Sequence, residues 1–240
     1  MEALAMTASS YTSLHKYLDD PVYTQPSTPN LASNSPLEIL HKIHSDTRLN
    51  GLYDNHTGNQ TANVIEDHEE IVLEYWNAWT LEDPMKDFEY SQEAAVALLV
   101  GTVPPEGHNY DFFLVHLLTT SHAIRVLLPL IPVRHHYNLV RQWWLLTVMT
   151  YIGQLRPQIN EEWLSVDSQE PSKDWRYAED KAVNGKWATD AHFVKAVRAI
   201  KEVAETWGDE EGRYRGAAVK FVDGFTGWTG FEVGHQGGGH

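Results

Sequence analysis

The sequence contains no cysteine in its 240 residues. This absence excludes disulfide bonds, thiolate metal sites, iron–sulfur clusters and cysteine nucleophiles. Long hydrophobic runs are absent as well. The most apolar stretch, residues 112–133, is interrupted by histidine, threonine, serine and arginine, whereas a membrane span needs ~18–20 apolar residues in a row. The first ten residues lack the basic start and apolar run of a signal peptide. We therefore expect a cytoplasmic protein with no membrane partner.

Positive charge is scarce relative to negative charge. The chain has 18 Lys and Arg residues against 33 Asp and Glu residues, a formal net charge of −15. Such a surface repels polyanions, so we expect no nucleic-acid partner. Hydrophobic residues make up 42% of the chain and nine residues are tryptophan. The chain is therefore able to bury a core, and disorder is excluded as its overall state.

Composition along the chain indicates three segments. Residues 1–36 combine four prolines with Ser, Thr and Asn, which predicts an extended or loosely attached arm. Residues 231–240 form a Gly-rich tail that we expect to be mobile. Between them, residues 37–230 show no convincing two-residue alternation and no internal repeat. We predict an all-α fold, a single helical domain of about six to eight helices.

Individual helices follow from apolar residues spaced three and four apart. Helix starts are predicted at Ser35, Ser91 and Thr189, whose side chains are suited to capping, and Pro36 suits a first helical position. Residues 157–186 are polar and are predicted to be irregular. The predicted helices cover residues 37–49, 64–79, 91–100, 111–128, 134–155, 189–207 and 213–225.

The helix predicted over residues 111–128 carries three polar groups within an apolar stripe. At about 100° per residue, His116, Thr119 and His122 fall at roughly 0°, −60° and −120° around the helix axis. Burying two imidazoles and a hydroxyl costs free energy unless they find hydrogen-bond partners. Two interpretations stay open: these groups satisfy nearby backbone carbonyls, or they line a functional site.

The same helix carries a resemblance to a known family. Its start, Asp-Phe-Phe-Leu-Val-His-Leu-Leu-Thr-Thr-Ser, is followed by an apolar run that ends at Pro129. This is similar to the Phe-x-x-x-His-x-x-Thr-x-Ser segment of questin oxidase-like proteins. The resemblance covers about residues 37–230 and corresponds to the C-terminal portion of the family, because a preceding Gly-Phe-x-His-Pro-x-x-His-like motif is not found. Three further features agree in order and spacing: residues 37–41 with Asp46 after them, the pair Tyr75-Trp76, and residues 190–199.

The resemblance implies an oxidoreductase of fungal secondary metabolism. It would insert oxygen beside a quinone carbonyl and open the ring of an aromatic, anthraquinone-like polyketide in Baeyer–Villiger fashion. Such chemistry needs a base for a phenol proton, donors for the developing oxyanion and a dry pocket. His116, His122 or His192 is the candidate base, with Thr119 as a hydrogen-bond donor. The candidate substrate-binding residues are Arg125 and Lys195 for anions and Trp143, Trp144, Tyr151 and Trp187 for stacking, with solvation or core packing as the alternative interpretation of each.

The spacing of Gly, Glu and His residues bears on cofactors. A Rossmann domain needs Gly-x-Gly-x-x-Gly between a strand and a helix, but the run Gly224-x-x-Gly227-x-x-Gly230 has another spacing and no helix after it. We expect no bound flavin, with electrons supplied by external NADPH or by the reduced substrate. A di-iron bundle needs paired Glu-x-x-His motifs, and only Glu38-x-x-His41 occurs. His41-x-x-His44 and His135-His136 are interpreted as solvated pairs, so no metal is predicted.

Two functional hypotheses from different classes follow. The first is a flavin-independent monooxygenase that acts on a small aromatic polyketide. The alternative is a truncated, non-catalytic helical protein that binds a hydrophobic polyketide or pairs with a complementary subunit. The missing family motif motivates the alternative. A homo- or hetero-oligomer is compatible with either hypothesis.

Overall fold

The computed structural model describes residues 14–53, 61–164 and 172–231. Over these residues the chain is mostly helical, with nine α-helices and two short strands. The all-α prediction is therefore confirmed in its main feature, although nine helices exceed the six to eight predicted. The helices are α1 (residues 14–19), α2 (Pro36–Ser45), α3 (Thr61–Ala78), α4 (Phe88–Val100), α5 (Phe112–Leu127), α6 (His136–Gly153), α7 (Trp175–Asn184), α8 (Ala191–Trp207) and α9 (Arg213–Gly224); the strands are β1 (Asn109–Asp111) and β2 (Gly227–Thr229).

Helix α5 lies at the centre of the bundle. It packs against α4, α6 and α8, while α3 packs on α6 and α9 packs on α8. The sequence explains this arrangement, because α4 and α6 are apolar around most of their circumference and are buried along most of their length. A helix that is hydrophobic on all sides must be surrounded by others. Helix α8, by contrast, has a single apolar stripe and buries only that side.

Two segments differ from the predicted secondary structure. Residues 157–186 were predicted to be irregular, but Trp175–Asn184 is helix α7. Its buried stripe consists of Ala178 and Ala182 alone, which is too small to stand out as an apolar period. Within the predicted arm, residues 14–19 are helical, and Leu14 and Tyr17 are buried in the core. That part of the arm is therefore neither extended nor loosely attached; residues 1–13 lie outside the described part of the chain.

The predicted helix starts are correct in one of three cases. Ser35 caps α2 as predicted, because its Oγ accepts a hydrogen bond from the Glu38 backbone N–H at 3.3 Å. The cap predicted at Ser91 is wrong: Ser91 lies inside α4 and is fully buried, and the N-cap position is Asp87. The cap predicted at Thr189 is wrong by one residue, since Asp190 caps α8. An aspartate beside a threonine competes for the same backbone donors, and local sequence does not decide between them.

The two strands were not predicted. They form a parallel pair in which Tyr110 is the register partner of Trp228. This pairing brings the chain after α9 alongside the start of α5. Gly230, which follows β2, has a φ of +94°, and a Cβ there would lie 2.8 Å from Oδ2 of Asp111. Glycine is therefore required by both backbone conformation and space. Of the predicted mobile tail, residues 232–240 lie outside the described part of the chain.

One helical stretch in the described residues, Phe112–Leu130, has the length and composition of a membrane span. Half of this stretch is buried among the other helices. The central helix of a helical bundle has the same length and apolar character, because it is surrounded by protein instead of water.

Lys220 is a buried cation that should make stability depend on pH. Its side chain is 7% exposed, and its ammonium group donates hydrogen bonds to the carbonyls of Val100, at 3.0 Å, and Val103. Burial lowers the pKa of Lys220 to about 8, whereas an unperturbed lysine has a pKa of about 10.4. Between these two values the unfolded chain binds a proton that the folded chain has released. The free energy of unfolding therefore rises with pH across this window.

We expect urea denaturation to show this rise as a difference between the wild type and Lys220→Met. From about pH 7.5 to about pH 9.5, the free energy of unfolding of the wild type should gain about 1–2 kcal/mol more than that of the variant. The absolute stability of Lys220→Met also changes, because two carbonyls lose a donor, so the slope with pH is the informative quantity. Equal slopes in the two proteins would contradict the assignment.

Candidate functional site

The starts of α5 and α8 are fixed by two aspartate caps. Asp111 Oδ1 accepts hydrogen bonds from the backbone N–H groups of Phe113 and Leu114 at 2.7 and 2.9 Å. Asp190 Oδ1 accepts from the N–H groups of His192 and Phe193 at 2.9 and 3.0 Å. Each carboxylate satisfies donors that have no partner within the helix, and its negative charge is favourable at a helix N-terminus. The first turns of both helices are thereby held in place.

Helices α5 and α8 lie against each other and run in the same direction. His116 contacts His192, and Arg125 forms an ion pair with Glu202. The two contacts are nine residues apart on α5 and ten apart on α8, which corresponds to about 14–15 Å along each axis. The N-termini of α5 and α8 therefore meet at one end of the bundle, and their C-termini meet at the other end.

A group of six rings lies where these N-termini meet, and we call it the histidine–aromatic cluster. At its centre are Phe112, His116 and His192, whose ring centroids are 4.7, 4.7 and 4.9 Å apart pairwise. All six side chains are half-buried, so the cluster is partly accessible to solvent. Its members are Phe112, Phe113, His116, His192, Trp228 and Phe231.

The protonated nitrogen of His116 follows from its hydrogen bond. Nδ1 lies 2.6 Å from the backbone carbonyl oxygen of Phe112. A carbonyl only accepts hydrogen bonds, so Nδ1 carries the proton and donates it. In the neutral imidazole the lone pair is then on Nε2. His116 is therefore fixed in the tautomer that can accept a proton at Nε2.

The chain after α9 completes the cluster. The Trp228 indole contacts Phe112 with centroids 5.9 Å apart, and Phe231 contacts the same ring at 5.0 Å. Trp228 Nε1 donates a hydrogen bond to Asp190 Oδ2 at 2.8 Å. Asp190 thus caps α8 with one oxygen and holds Trp228 with the other. The capping residue ties the orientation of the indole to the helix that carries His192.

The structure separates the polar groups that were predicted to share one wall. Thr119 is buried, and its hydroxyl lies 3.4 Å from the His116 carbonyl, to which it donates. His122 lies about 9 Å further along α5 than His116, where Nδ1 is 3.5 Å from an Nη of Arg125. Arg125 donates to Glu202 at 2.7 Å, so its charge is compensated by protein. His116 and His192 are brought together, whereas Thr119, His122 and Arg125 make other contacts.

The predicted stacking residues lie mainly in the core. Trp143 and Tyr151 are buried and donate to the backbone carbonyls of Leu117, at 3.1 Å, and Pro157, at 2.8 Å; burial raises the pKa of Tyr151. Trp144 is also buried and contacts Trp79. These contacts are those of packing residues. Lys195 is exposed on α8 one turn after His192, and Trp187 is half-buried against Phe225.

Four residues of the site were not identified from the sequence. Phe112 and Phe113 were part of the family motif but were given no role, although Phe112 lies at the centre of the cluster. Trp228 lies just before the predicted Gly-rich tail, and Phe231 is the first residue of that tail. Two aromatic residues within four positions, among glycines, indicate that this segment packs against the rest of the protein. The pairing of β1 with β2 shows that it packs against the start of α5.

Other residues that carry the family resemblance brace the helices. Asp46 accepts a hydrogen bond from the Tyr75 hydroxyl at 2.8 Å, and burial together with this bond raises the pKa of Tyr75. Trp76 Nε1 donates to the Arg141 carbonyl at 2.9 Å, while the Arg141 guanidinium lies 3.7 Å from the Trp76 ring centroid. These contacts connect α2 with α3, and α3 with α6. Their role is to hold the scaffold around α5.

Within residues 14–53, 61–164 and 172–231, no three His, Asp or Glu side chains converge in a way that could hold a metal ion. The helix N-termini that border the cluster are occupied by the carboxylates of Asp111 and Asp190. A dinucleotide pyrophosphate binds at a free, uncharged helix N-terminus. Neither of these two helix N-termini therefore offers a pyrophosphate site of that kind.

Comparison with known proteins gives one result that covers most of the chain. The family model described as questin oxidase-like matches residues 1–200. The match includes the cluster residues on α5 and α8 and also the arm, so it begins earlier than the resemblance at about residue 37. A comparison with curated proteins gives no match.

Proposed function

Because the chain belongs to the questin oxidase-like family, we propose that it oxygenates an aromatic polyketide at the histidine–aromatic cluster. Family membership itself indicates an oxidoreductase of polyketide metabolism. The observation that supports this site is the contact between His116 and His192 beside partly exposed aromatic rings. Both histidines lie within the part of the chain that matches the family.

The aromatic rings supply the surface for a flat substrate. Phe112, Trp228 and Phe231 are half-buried and tilted or edge-on to one another. Aromatic pairs prefer offset-stacked or edge-to-face arrangements and gain about 0.5–1.5 kcal/mol beyond simple burial. An anthraquinone-like ring system that stacks on this surface brings its phenol oxygens beside the two imidazoles. The negative surface of the protein does not oppose this, because such a substrate is neutral before it loses its proton.

His116 is the proposed general base. Its Nδ1 proton is committed to the Phe112 carbonyl, so Nε2 is the nitrogen that takes the phenol proton. Loss of this proton places negative charge on the substrate ring and raises its reactivity toward dioxygen. His192, 4.9 Å away between ring centroids, donates a hydrogen bond to the developing oxyanion. This assignment replaces Thr119 as the donor, because the Thr119 hydroxyl is buried against backbone.

The proposed reaction is a Baeyer–Villiger-type oxygenation without a bound flavin. The substrate is the reduced, hydroquinone form of the aromatic polyketide. One atom of dioxygen is inserted into the carbon–carbon bond beside a ring carbon that bears a hydroquinone hydroxyl, and the other leaves as water with the two hydrogens of the hydroquinone. The product is a lactone, which hydrolyses to the ring-opened acid. The substrate itself supplies both electrons, so no step is assigned to a nicotinamide cofactor at this site.

Product analysis tests the proposal. The purified chain is incubated aerobically with a small panel of anthraquinones and their hydroquinones, with and without NADPH, and ring-opened acids or lactones are sought by mass spectrometry. We expect conversion of at least one hydroquinone without NADPH. If another member of the family converts a panel compound that this chain binds but leaves unchanged, the chain is a non-catalytic binding protein instead.

Trp228 should determine how tightly the substrate binds. We expect Trp228→Ala to raise the Kd for an anthraquinone about 3–10-fold, since one stacking contact is lost. Trp228→Phe keeps an aromatic ring but loses the hydrogen bond to Asp190. Its Kd should lie between those of the wild type and Trp228→Ala. Isothermal titration calorimetry gives the Kd values, and Trp175→Ala at the start of α7 serves as the control. Unchanged affinity in Trp228→Ala would remove the indole from the binding surface.

A further inference from the structure

Exposed large hydrophobic side chains are concentrated at one part of the molecule. Of eight such side chains in the described residues, four lie between the last turn of α5 and the first turn of α6, both included, and two lie around the start of α4. Leu130 and Val133 are the most exposed, at 74% and 79%. Isolated exposed apolar residues are normal, but a contiguous patch marks an interaction site. We call residues 82–90 and 126–137 the distal surface; its exposed apolar members are Met85, Tyr90, Val126, Leu130, Val133 and Tyr137.

Both segments of the distal surface lie at the end of the bundle opposite the histidine–aromatic cluster. Gln92, in the second turn of α4, accepts a hydrogen bond at 2.8 Å from Nε1 of Trp207, the last residue of α8, so α4 begins at the end of the bundle where α8 ends. Arg141, one turn after Tyr137, donates to the Trp76 carbonyl and the Asn77 side chain near the end of α3. Residues 79–87 connect the end of α3 to α4, so they lie at the same end of the bundle as the start of α6. The substrate site and the distal surface are therefore separate.

The two segments carry charge of opposite sign. No Asp or Glu occurs between Asp111 and Glu161, so residues 126–137 contain only cationic or neutral groups, with Arg134 and His135 exposed. Residues 82–90 contain four acidic residues and one lysine. Glu82 and Glu89 are exposed, while the lysine is paired with Asp83. Each segment thus combines exposed apolar groups with a charge that the other segment complements.

We propose that the distal surface binds a second copy of this chain in a two-fold symmetric dimer. In such a dimer a patch must complement itself, because each segment of one copy meets the other segment of its partner. The Arg134 side of one protomer then faces the acidic residues 82–90 of the other, and Leu130 and Val133 are covered. A second copy fits better than an anionic membrane, which the net charge of −15 repels. In this dimer the histidine–aromatic cluster of each protomer stays accessible, because it lies at the other end of the bundle.

The mass of the full chain in solution tests this proposal. By light scattering and sedimentation velocity, the wild type should be a dimer, and Leu130→Glu or Val133→Glu should raise the dimer Kd about 30-fold or more, as loss of a central interface contact does. Val183→Glu is the matched control, since Val183 is a similarly exposed valine on α7, at 66%. It should remain dimeric. Circular dichroism establishes that each variant is folded.

Charge exchange tests the proposed pairing. Arg134→Glu should weaken the dimer, as should Glu82→Arg with Glu89→Arg, and the combined variant should recover most of the loss. A wild type that is monomeric at about 100 µM, or a dimer unaffected by Leu130→Glu, would overturn the proposal. A monomer that binds vesicles of neutral or anionic lipid through Leu130 would overturn it too, and would make a lipid surface the occupant. Weakening by both charge variants without recovery would refute the pairing of Arg134 with residues 82–90 of the other copy, on which the proposed dimer depends.

Discussion

Replacement of His116 by asparagine is expected to lower turnover by about 10²–10⁴-fold, the usual effect of losing a general base. The asparagine amide can still donate to the Phe112 carbonyl from a position close to that of Nδ1, so the contact within α5 is preserved. What is lost is the lone pair on Nε2, which takes the phenol proton. Turnover of a hydroquinone substrate should therefore fall while the melting temperature stays almost unchanged. Substrate Kd, measured by calorimetry, should change little as well.

His122→Asn is the matched control for this prediction. His122 lies on the same helix and is also half-buried, but its neighbours are Arg125 and, through it, Glu202. We expect turnover within about twofold of the wild type, because surface and part-buried changes away from a site rarely act on it. Equal losses in His116→Asn and His122→Asn, or a loss that follows the melting temperature in both, would show that these histidines are structural. The assignment of the base would then be abandoned.

Replacement of Arg156 by methionine is expected to cost about 2–4 kcal/mol of stability, because several hydrogen bonds from a charged donor are lost together. The guanidinium caps the end of α2 and the turn after it. It donates to the carbonyls of Ile43 and Asp46 at 3.2 and 3.0 Å and to that of Leu49 at 2.9 Å, with further contacts to His44 and Asn50. The Ile43 and Asp46 carbonyls each keep one backbone partner, the N–H groups of Asp46 and Leu49 at 3.3 and 3.2 Å, but both lose the charged donor. The melting temperature should fall by about 5–15 °C.

Arg156→Lys separates charge from geometry in this contact. Lysine keeps the positive charge but cannot spread donors over several carbonyls as the planar guanidinium does. We expect an intermediate loss of stability by urea denaturation. Arg198→Met, on the exposed side of α8, is the control and should change the free energy of unfolding by less than about 0.5 kcal/mol. If Arg156→Met also lost less than about 0.5 kcal/mol of unfolding free energy, water would be replacing the guanidinium at these carbonyls.

The helices that bury a clear stripe could be predicted from the sequence. Helix α5 begins and ends within one residue of the prediction, because Asp111 is both the cap and the last residue before the apolar period. Helix α7 could not be predicted, since its buried side consists of two alanines. The strands could not be predicted either. Each has three residues, and their pairing depends on chain segments more than one hundred positions apart.

The site was predictable only in part. The resemblance singled out His116 and His192, and the structure places their rings together. The helical projection also grouped His122 with His116, but a projection ignores distance along the axis. Six residues correspond to about 9 Å, enough for His122 to meet Arg125 instead of His192. Trp228 could not be assigned to the site, because its place depends on a hydrogen bond to Asp190 and on the pairing of β1 with β2.

Incorporation of isotopically heavy dioxygen is the measurement that tests the proposed function most directly. The chain is mixed with an anthraquinone-derived hydroquinone under heavy dioxygen, without NADPH, and the product is analysed by mass spectrometry beside His116→Asn and His122→Asn. We predict a lactone or ring-opened acid that carries one heavy oxygen at the former carbon–carbon bond, formed by the wild type and by His122→Asn. His116→Asn should form little or none of this product. A product without heavy oxygen, or equal product from His116→Asn, would contradict an oxygenase site at the histidine–aromatic cluster.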